Sequence, residues 1–269
     1  HTAYRRQRQM CIRDSIKIVR ACVCGSDLWW FRGISERQPG PVGHEAIGLI
    51  EEVGTGVKNF KVGDFVIVPF THGCGHCPIC LAGFEANCPN AKDGVNGGYQ
   101  GEFYRAINAD GALVKIPGQP SDYSDDQLAS LTTLADVMPT GFHAAKAADV
   151  HEGDTVVIFG DGAVGLCAVI SAKLLGAKRI IAMSRHEDRA ALARDFGATD
   201  IIAERGEVAI QKIMDLTDGY GADAALECVG TKQAIESAFQ AVRAGGRVGR
   251  VGVPHDVNSV SYTHLTLPT

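Results

Sequence analysis

Residues 155–165, TVVIFGDGAVG, join a short apolar run to a glycine-rich turn. The apolar run predicts a buried strand, and the apolar residues that follow the turn have the spacing of a helix. Gly160, Gly162 and Gly165 form a G-x-G-x-x-G pattern, which lets the backbone approach a pyrophosphate at the amino end of a helix. The sequence therefore predicts a dinucleotide-binding turn made by these glycines and Val164.

Predicted helices and strands alternate on both sides of this turn. This alternation is typical of βαβ units and a parallel sheet, so it predicts an α/β domain in the second half of the chain. The expected helices cover residues 128–135, 140–148, 164–175, 188–196 and 232–242, and the expected strands cover residues 155–159, 179–183, 222–228 and 247–253.

The first half of the chain has a different pattern, in which short β-type runs are separated by glycine-containing turns. Such spacing predicts a small, irregular β-barrel. The expected strands cover residues 16–24, 46–53, 64–69 and 103–107.

Composition narrows the class of protein. The 269 residues are 45% hydrophobic and carry a formal net charge of -5, and no basic stripe points to a nucleic-acid partner. No apolar run is long enough to span a membrane, and no secretory signal is visible. Four of the nine cysteines crowd into residues 74–88, which suits a metal site in a reducing cytoplasm better than a disulfide framework.

The two ends of the chain resemble translated adapter DNA. Residues 10–15, MCIRDS, can be back-translated to ATG TGT ATA AGA GAC AG, with the last codon incomplete. The reverse complement of this string, read from its third base, encodes VSYTH, which begins at Val260. This DNA resembles the transposon-end adapter of sequencing libraries. We therefore hypothesise that residues 1–15 and 260–269 are non-native and replace the natural termini. Unrelated codons at the two ends of the gene would contradict this hypothesis.

A cluster of cysteines has the spacing of a closed metal site. Cys74, Cys77, Cys80 and Cys88 form a C-x-x-C-x-x-C-x7-C pattern, and four thiolates so close in sequence can enclose one tetrahedral zinc ion. An iron–sulfur cluster is the alternative, because some bacterial cluster motifs also begin C-x-x-C-x-x-C. The longer gap before the last cysteine and the β-rich surroundings favour a structural zinc ion.

A second motif, in the first half of the chain, carries a resemblance to a known family. Gly43, His44 and Glu45, followed by Gly48, Gly54 and Val57, fit the pattern G-H-E-x2-G-x5-G-x2-V. This pattern resembles the zinc-containing alcohol dehydrogenases of the medium-chain dehydrogenase/reductase family. The resemblance implies an α/β protein with a GroES-like β-barrel catalytic domain at residues 16–135 and a Rossmann cofactor-binding domain at residues 136–259.

The resemblance also implies a catalytic zinc ion held by Cys24, His44 and a third ligand. Many members have a cysteine as the third ligand, but the matching stretch of this chain offers Asp136, as in the secondary-alcohol branch. Helix capping is the alternative role for this aspartate. Glu45 is expected beside the metal, as a fourth ligand or as one that exchanges with water.

Two further residues match catalytic positions of the family. Ser26 matches the hydroxyl that takes the substrate proton, although it could be an ordinary turn serine. Asp27 matches a carboxylate that orients the zinc-ligating histidine, here His44.

The predicted cofactor is NADP, with NAD as the alternative. Thr140 matches a position near the nicotinamide in the family. After the strand predicted to end at residue 183, Ser184 stands where NAD-preferring enzymes carry an acidic residue. Arg185 and Arg189 lie close behind it in sequence and could bind a 2′-phosphate, although Arg185 could also be a solvated surface residue.

The expected protein is thus a cytoplasmic, zinc-dependent dehydrogenase with two zinc ions per subunit. It would transfer hydride between NADP and an alcohol, which we expect to be secondary; the oxidised partner would be a ketone, or an aldehyde if the alcohol is primary. The complete protein would be a homodimer or homotetramer. The alternatives are an NAD-dependent polyol or amino-alcohol dehydrogenase of the same family, and a zinc-stabilised relative without catalysis.

Overall fold

The computed structural model describes residues 15–33, 36, 40–91 and 97–254. The stretches expected to be non-native lie outside these residues, except for Ser15, which begins the first strand. The chain divides into two compact units, residues 1–136 and residues 137–269. This division falls one residue after the boundary expected from the sequence.

The first unit contains a five-stranded antiparallel sheet in the order β4-β1-β2-β3-β5. Alternate residues of its strands face opposite sides, so Val66 and Val68 belong to one buried cluster and Phe65 and Ile67 belong to another. The strands are β1 (Ser15–Ala21), β2 (Ala46–Ile50), β3 (Phe65–Val68), β4 (Phe103–Arg105) and β5 (Val114–Lys115).

The helices of the first unit are short and connect these strands. They are α1 (Asp27–Phe31), α2 (Pro78–Leu81), α3 (Ala109–Ala112) and α4 (Asp125–Thr132). Helix α4 begins three residues before its predicted start because of a capping box. The Ser124 hydroxyl accepts a hydrogen bond from the backbone N–H of Gln127, and the Gln127 side chain accepts one from the backbone N–H of Ser124.

The second unit contains a five-stranded parallel sheet in the order β10-β9-β6-β7-β8. Numbered within the unit, this is the order 5-4-1-2-3, which doubly wound dinucleotide-binding folds share. The predicted α/β class and parallel sheet are confirmed. The strands are β6 (Thr155–Phe159), β7 (Arg179–Met183), β8 (Asp200–Ile202), β9 (Ala222–Glu227) and β10 (Val242–Arg250).

Helices cover both faces of the parallel sheet, which explains why its central strand is a continuous apolar run. Val156 and Ile158 of β6 pack in a cluster with α5 and α6, while Val157 and Phe159 pack in a cluster with α8 and α9. The helices are α5 (Val137–Ala147), α6 (Ala163–Leu174), α7 (Glu187–Phe196), α8 (Gly206–Leu216) and α9 (Lys232–Ala241). Within the described ranges, no helix has the length and apolar character needed to cross a membrane.

Candidate active site

Four side chains of the first unit converge on one point. Cys24, His44, Glu45 and Asp136 each offer a ligand atom, and these atoms all lie within 4.8 Å of one another. All four were predicted to be at the catalytic metal. The structure therefore brings together residues that are separated by as many as 112 positions in the sequence (136 − 24).

Strand pairing explains how the first two segments meet. Strand β1 ends shortly before Cys24, and β2 begins immediately after Glu45. The two strands are antiparallel, with Ala21 opposite Ala46, so the chain leaves β1 beside the place where it enters β2. A backbone hydrogen bond from the N–H of Cys22 to the carbonyl of Glu45, 3.1 Å long, extends this pairing into the site.

Asp27 positions two of the predicted metal ligands. One carboxylate oxygen lies 3.2 Å from His44 Nδ1, and the other accepts a hydrogen bond of 3.0 Å from the backbone N–H of Cys24. His44 Nε2 lies 3.3 Å from a carboxylate oxygen of Asp136, and the imidazole packs edge-on against Phe70. A carboxylate behind a histidine fixes the ring orientation and the nitrogen that binds metal, so this arrangement suits a ligand.

The electrostatics of the cluster fit a cation. The hydrogen bond with Asp136, followed by that with Cys24, raises the pKa of His44 to about 10. Burial, followed by the charge of Asp136, raises the pKa of Glu45 to about 7. Glu45 is 3% exposed, and its Oε1 has no hydrogen-bond partner among the described residues. Sulfur, nitrogen and carboxylate donors around a surplus of negative charge suit zinc, so these residues fit the predicted ion.

Ser26 lies between this cluster and α1. It occupies the residue before the helix, yet within the described part of the chain its hydroxyl makes no capping hydrogen bond. The side chain is half-buried and two residues from Cys24. Helix capping therefore does not explain why a serine occupies this position.

In the second predicted metal site, the distances between the cysteine sulfurs fit a single ion with tetrahedral coordination. With zinc–sulfur bonds of about 2.3 Å, sulfur atoms at the corners of a tetrahedron lie roughly 3.8 Å apart. The Cys77 sulfur lies 3.5 Å from that of Cys80 and 3.8 Å from that of Cys88, and the Cys74 and Cys80 sulfurs are 3.9 Å apart. In a polynuclear iron–sulfur cluster the cysteines bind different iron atoms, so their sulfurs lie farther apart. The distances favour one ion.

Backbone geometry explains why this cysteine loop closes so tightly. The N–H of Cys74 donates to the Cys88 sulfur at 3.3 Å, and the N–H of Cys80 donates to the Cys77 sulfur at 3.5 Å. Gly73 is required by space, because a Cβ there would lie 2.7 Å from the Cys80 sulfur. Hydrogen bonds from N–H groups to sulfur stabilise thiolates, which are the form that binds metal.

The glycine-rich turn of the second unit has the features expected for a pyrophosphate site. Gly160 has φ +119°, a conformation that side chains rarely adopt, and a Cβ on Gly165 would lie 2.1 Å from the Gly160 carbonyl oxygen. A Cβ on Gly162, in contrast, would have no described heavy atom within 4 Å. Gly162 immediately precedes α6, so the open space lies at the positive end of a helix dipole.

Comparison with known proteins finds a matching family for each of the two units. Residues 15–118 match the family described as "Alcohol dehydrogenase GroES-like domain", and residues 163–268 match the family described as "Zinc-binding dehydrogenase". The solved structure of alcohol dehydrogenase TADH from Thermus sp. ATN1 superposes with a TM-score of 0.81 at 31% identity, over 94% of this chain and 73% of that one. The chain belongs to the zinc-containing alcohol dehydrogenases of the medium-chain family.

Two curated members of the family illustrate the similarity. Zinc-type alcohol dehydrogenase B of Aspergillus flavus is 38% identical over 259 residues, which are 90% of this chain and 59% of that protein. NADP-dependent isopropanol dehydrogenase of Thermoanaerobacter brockii is also 38% identical, over 85% of this chain and 65% of that protein. The chain thus spans about three fifths of the length of these relatives.

In the second unit, the residues predicted to bind the adenosine ribose surround an aspartate. Ser184 directly follows β7, and its hydroxyl donates to one oxygen of Asp161 at 2.8 Å. Arg189 donates to the other oxygen at 3.1 Å, while Arg185 is exposed. Burial alone would raise the pKa of Asp161, but the hydrogen bonds from Ser184 and Arg189 lower it overall. Thr140, also predicted at the cofactor, lies in α5.

Sequence reasoning missed one cation at this edge of the sheet. Arg205 follows β8 and stands directly before α8, neither of which was predicted. Burial lowers the pKa of Arg205, the nearby charge of Arg185 lowers it further, and Asp161 raises it. A weak signal for this strand was present in the sequence. Residues 201–206, IIAERG, place a short apolar run before a glycine, as at the end of β6.

Proposed function

We propose that the protein to which this chain belongs is a zinc-dependent alcohol dehydrogenase that transfers hydride between a secondary alcohol and NADP. The observation that carries the proposal is the convergence of Cys24, His44 and Asp136, with Glu45 beside them and Asp27 behind. Three protein donors with a displaceable fourth are typical of catalytic zinc, whereas the four-cysteine site is of the closed, structural kind.

Zinc bound by Cys24, His44 and Asp136 would supply a Lewis acid that polarises the alcohol oxygen and makes its proton easier to remove. Asp27 keeps the imidazole of His44 oriented, since its carboxylate lies against Nδ1 and leaves Nε2 directed at the site. The carboxylate of Glu45 is buried and its Oε1 has no hydrogen-bond partner among the described residues, so Glu45 would be available as a further ligand to that ion.

Ser26 is the proposed first acceptor of the substrate proton. Its hydroxyl both donates and accepts hydrogen bonds, and it lies half-buried at the start of α1, two residues from Cys24. Removing the proton before hydride leaves is necessary because an ionised alcohol donates hydride far more readily than a neutral one.

Two observations support NADP as the cofactor. Ser184, Arg185 and Arg189 follow β7 at the position where an acidic residue would repel a 2′-phosphate. The isopropanol dehydrogenases of Thermoanaerobacter brockii and Clostridium beijerinckii, named as NADP-dependent, are 38% and 35% identical to this chain. The same relatives support a small secondary alcohol as the substrate.

The test is a substrate and cofactor panel on the full-length protein, combined with metal analysis. We expect two zinc ions per chain and oxidation of 2-propanol or 2-butanol with a kcat/KM for NADP at least tenfold above that for NAD. A preference for NAD and for a sugar alcohol would contradict the proposal and favour the alternative, an NAD-dependent polyol dehydrogenase. Two bound zinc ions without turnover of any alcohol would indicate a non-catalytic relative.

A further inference from the structure

Three arginines from separate segments meet at the carboxyl edge of the parallel sheet. Arg185 follows β7, Arg189 lies in the first turn of α7, and Arg205 follows β8. The ends of β7 and β8 are held together by a hydrogen bond of 3.0 Å from the backbone N–H of Ser184 to the carbonyl of Ile202. In doubly wound folds, ligands bind outside the carboxyl ends of the strands, which is where these arginines lie.

Arg205 is held at this edge by its own backbone. One nitrogen of its guanidinium donates to the carbonyl of Glu204 at 2.8 Å and to that of Ala203 at 3.3 Å, and the side chain is half-buried. The carboxylate of Glu204 is engaged elsewhere, because it pairs with Lys212 at 2.6 Å. These bonds keep Arg205 near Arg185, and the repulsion between the two positive charges lowers the pKa of Arg205. A bound anion would offset this repulsion.

The charges at this edge match a phosphate. Arg189 pairs with Asp161, and the charges of Asp161 and Arg185 both act on Arg205, so these four groups together carry a surplus of two positive charges (3 − 1). A phosphate monoester carries about −1.5 to −2 charges at neutral pH and offers three acceptor oxygens. Arginine is well suited to bind it, since a guanidinium presents several N–H groups in a fixed plane.

We propose that Arg205 is a further determinant of cofactor choice, which binds the 2′-phosphate of the adenosine ribose together with Ser184 and Arg185. The inference rests on the proposed use of NADP and adds a residue that follows a strand, β8, which the sequence did not predict. Arg189 has a different role, because its pairing with Asp161 neutralises a carboxylate that would repel the phosphate.

The test measures binding of two adenosine ligands to the full-length protein by calorimetry, without turnover. Adenosine 2′,5′-bisphosphate carries the additional phosphate, and 5′-AMP does not. We expect Arg205→Gln to weaken binding of the bisphosphate at least tenfold, because charge-assisted hydrogen bonds are lost, and to change binding of 5′-AMP less than twofold. Arg205→Lys keeps the charge and should retain part of the affinity.

Arg194→Gln is the matched control, because Arg194 is an exposed arginine of the same unit that pairs with Glu187. It should bind both ligands like the wild type. If Arg205→Gln weakens both ligands equally, the residue only supports the backbone after β8 and the inference is overturned. If the wild type prefers the bisphosphate and Arg205→Gln keeps that preference, the inference alone fails. A wild type without any preference contradicts the proposed use of NADP itself.

Discussion

Two glycines of the turn after β6 allow folding and cofactor binding to be separated by experiment. A Cβ on Gly165 would lie 2.1 Å from the carbonyl oxygen of Gly160 and 2.7 Å from its carbonyl carbon. Carbon and oxygen atoms that are not bonded approach to about 3.3 Å, so Gly165→Ala requires a backbone shift of roughly 1 Å. The atoms in the way belong to the backbone between β6 and α6, which cannot rotate aside as a side chain can.

The magnitude follows from this collision. Overpacking costs about 1–3 kcal/mol, and a clash with backbone belongs at the upper end, about 3 kcal/mol. In a chain of this size each kcal/mol lowers Tm by about 2–4 °C, so we expect Gly165→Ala to unfold roughly 6–12 °C earlier. Its effect on cofactor binding should be a consequence of the distorted turn.

Gly162→Ala is the matched variant. Gly162 has φ -80° and ψ -175°, which alanine adopts without strain, and a Cβ there would meet no described heavy atom within 4 Å. The entropic gain of about 0.4–1 kcal/mol is offset by the poor capping preference of alanine, so Tm should change by less than about 2 °C. The added methyl would, however, stand where the pyrophosphate approaches the backbone, and NADP should bind at least about tenfold more weakly.

Thermal unfolding followed by circular dichroism and NADP binding followed by calorimetry measure the two effects separately. An unchanged Tm in Gly165→Ala would refute the close approach of α6 to the end of β6. Unchanged NADP affinity in Gly162→Ala would refute the placement of the pyrophosphate at this helix terminus.

Three further predictions concern other parts of the chain. Asp136→Ala should reduce the zinc content of the full-length protein from two ions to one and lower kcat/KM at least about a hundredfold, whereas Asp136→Cys should keep both ions; two ions in the alanine variant would contradict the ligand assignment. Cys88→Ser should lose the other zinc ion and lower Tm, and an unchanged metal content measured by mass spectrometry would exclude the four-cysteine site. Glu227 is fully buried and accepts hydrogen bonds from the N–H groups of Val229 and Gly230 at 2.8 and 2.7 Å. Glu227→Ala should therefore lower the free energy of unfolding by about 2–4 kcal/mol in urea titrations, and a loss below about 1 kcal/mol would show that water replaces these bonds.

Elements that are buried on both faces were the easiest to predict from the sequence. The predicted bounds of β6 and β7 agree with the structure to the residue, because a continuous apolar run between polar segments leaves little freedom in their placement. Strand β8 has three residues and begins with Asp200, and α8 begins at Gly206 with φ +62°. Neither element can be recognised from its own residues, because β8 is stabilised by pairing with β7 and α8 by packing against α9.

Strand ends near the metal site were predicted less well, for a reason connected with function. The first strand was expected to continue to Cys24, but β1 ends at Ala21, and the chain then turns so that the Cys24 N–H can reach Asp27. The apolar and β-branched residues favour extension, while hydrogen bonds to a carboxylate three residues ahead favour the turn. Such conflicts between local preference and structure are expected at functional sites.

Asp161 shows most clearly what a motif leaves unsaid. Within G-x-G-x-x-G it occupies a position that the pattern does not specify, yet its carboxylate binds both Ser184 and Arg189. If the ribose binds here as proposed, this carboxylate would by itself favour NAD, because it could accept a hydrogen bond from the 2′-hydroxyl group. Its pairing with Arg189, and the presence of Arg185 and Arg205 around it, reverse the sign of the local charge. If NADP is the cofactor, as we propose, its preference over NAD would therefore depend on the charges at three strand ends together, and no single residue after β7 would determine it.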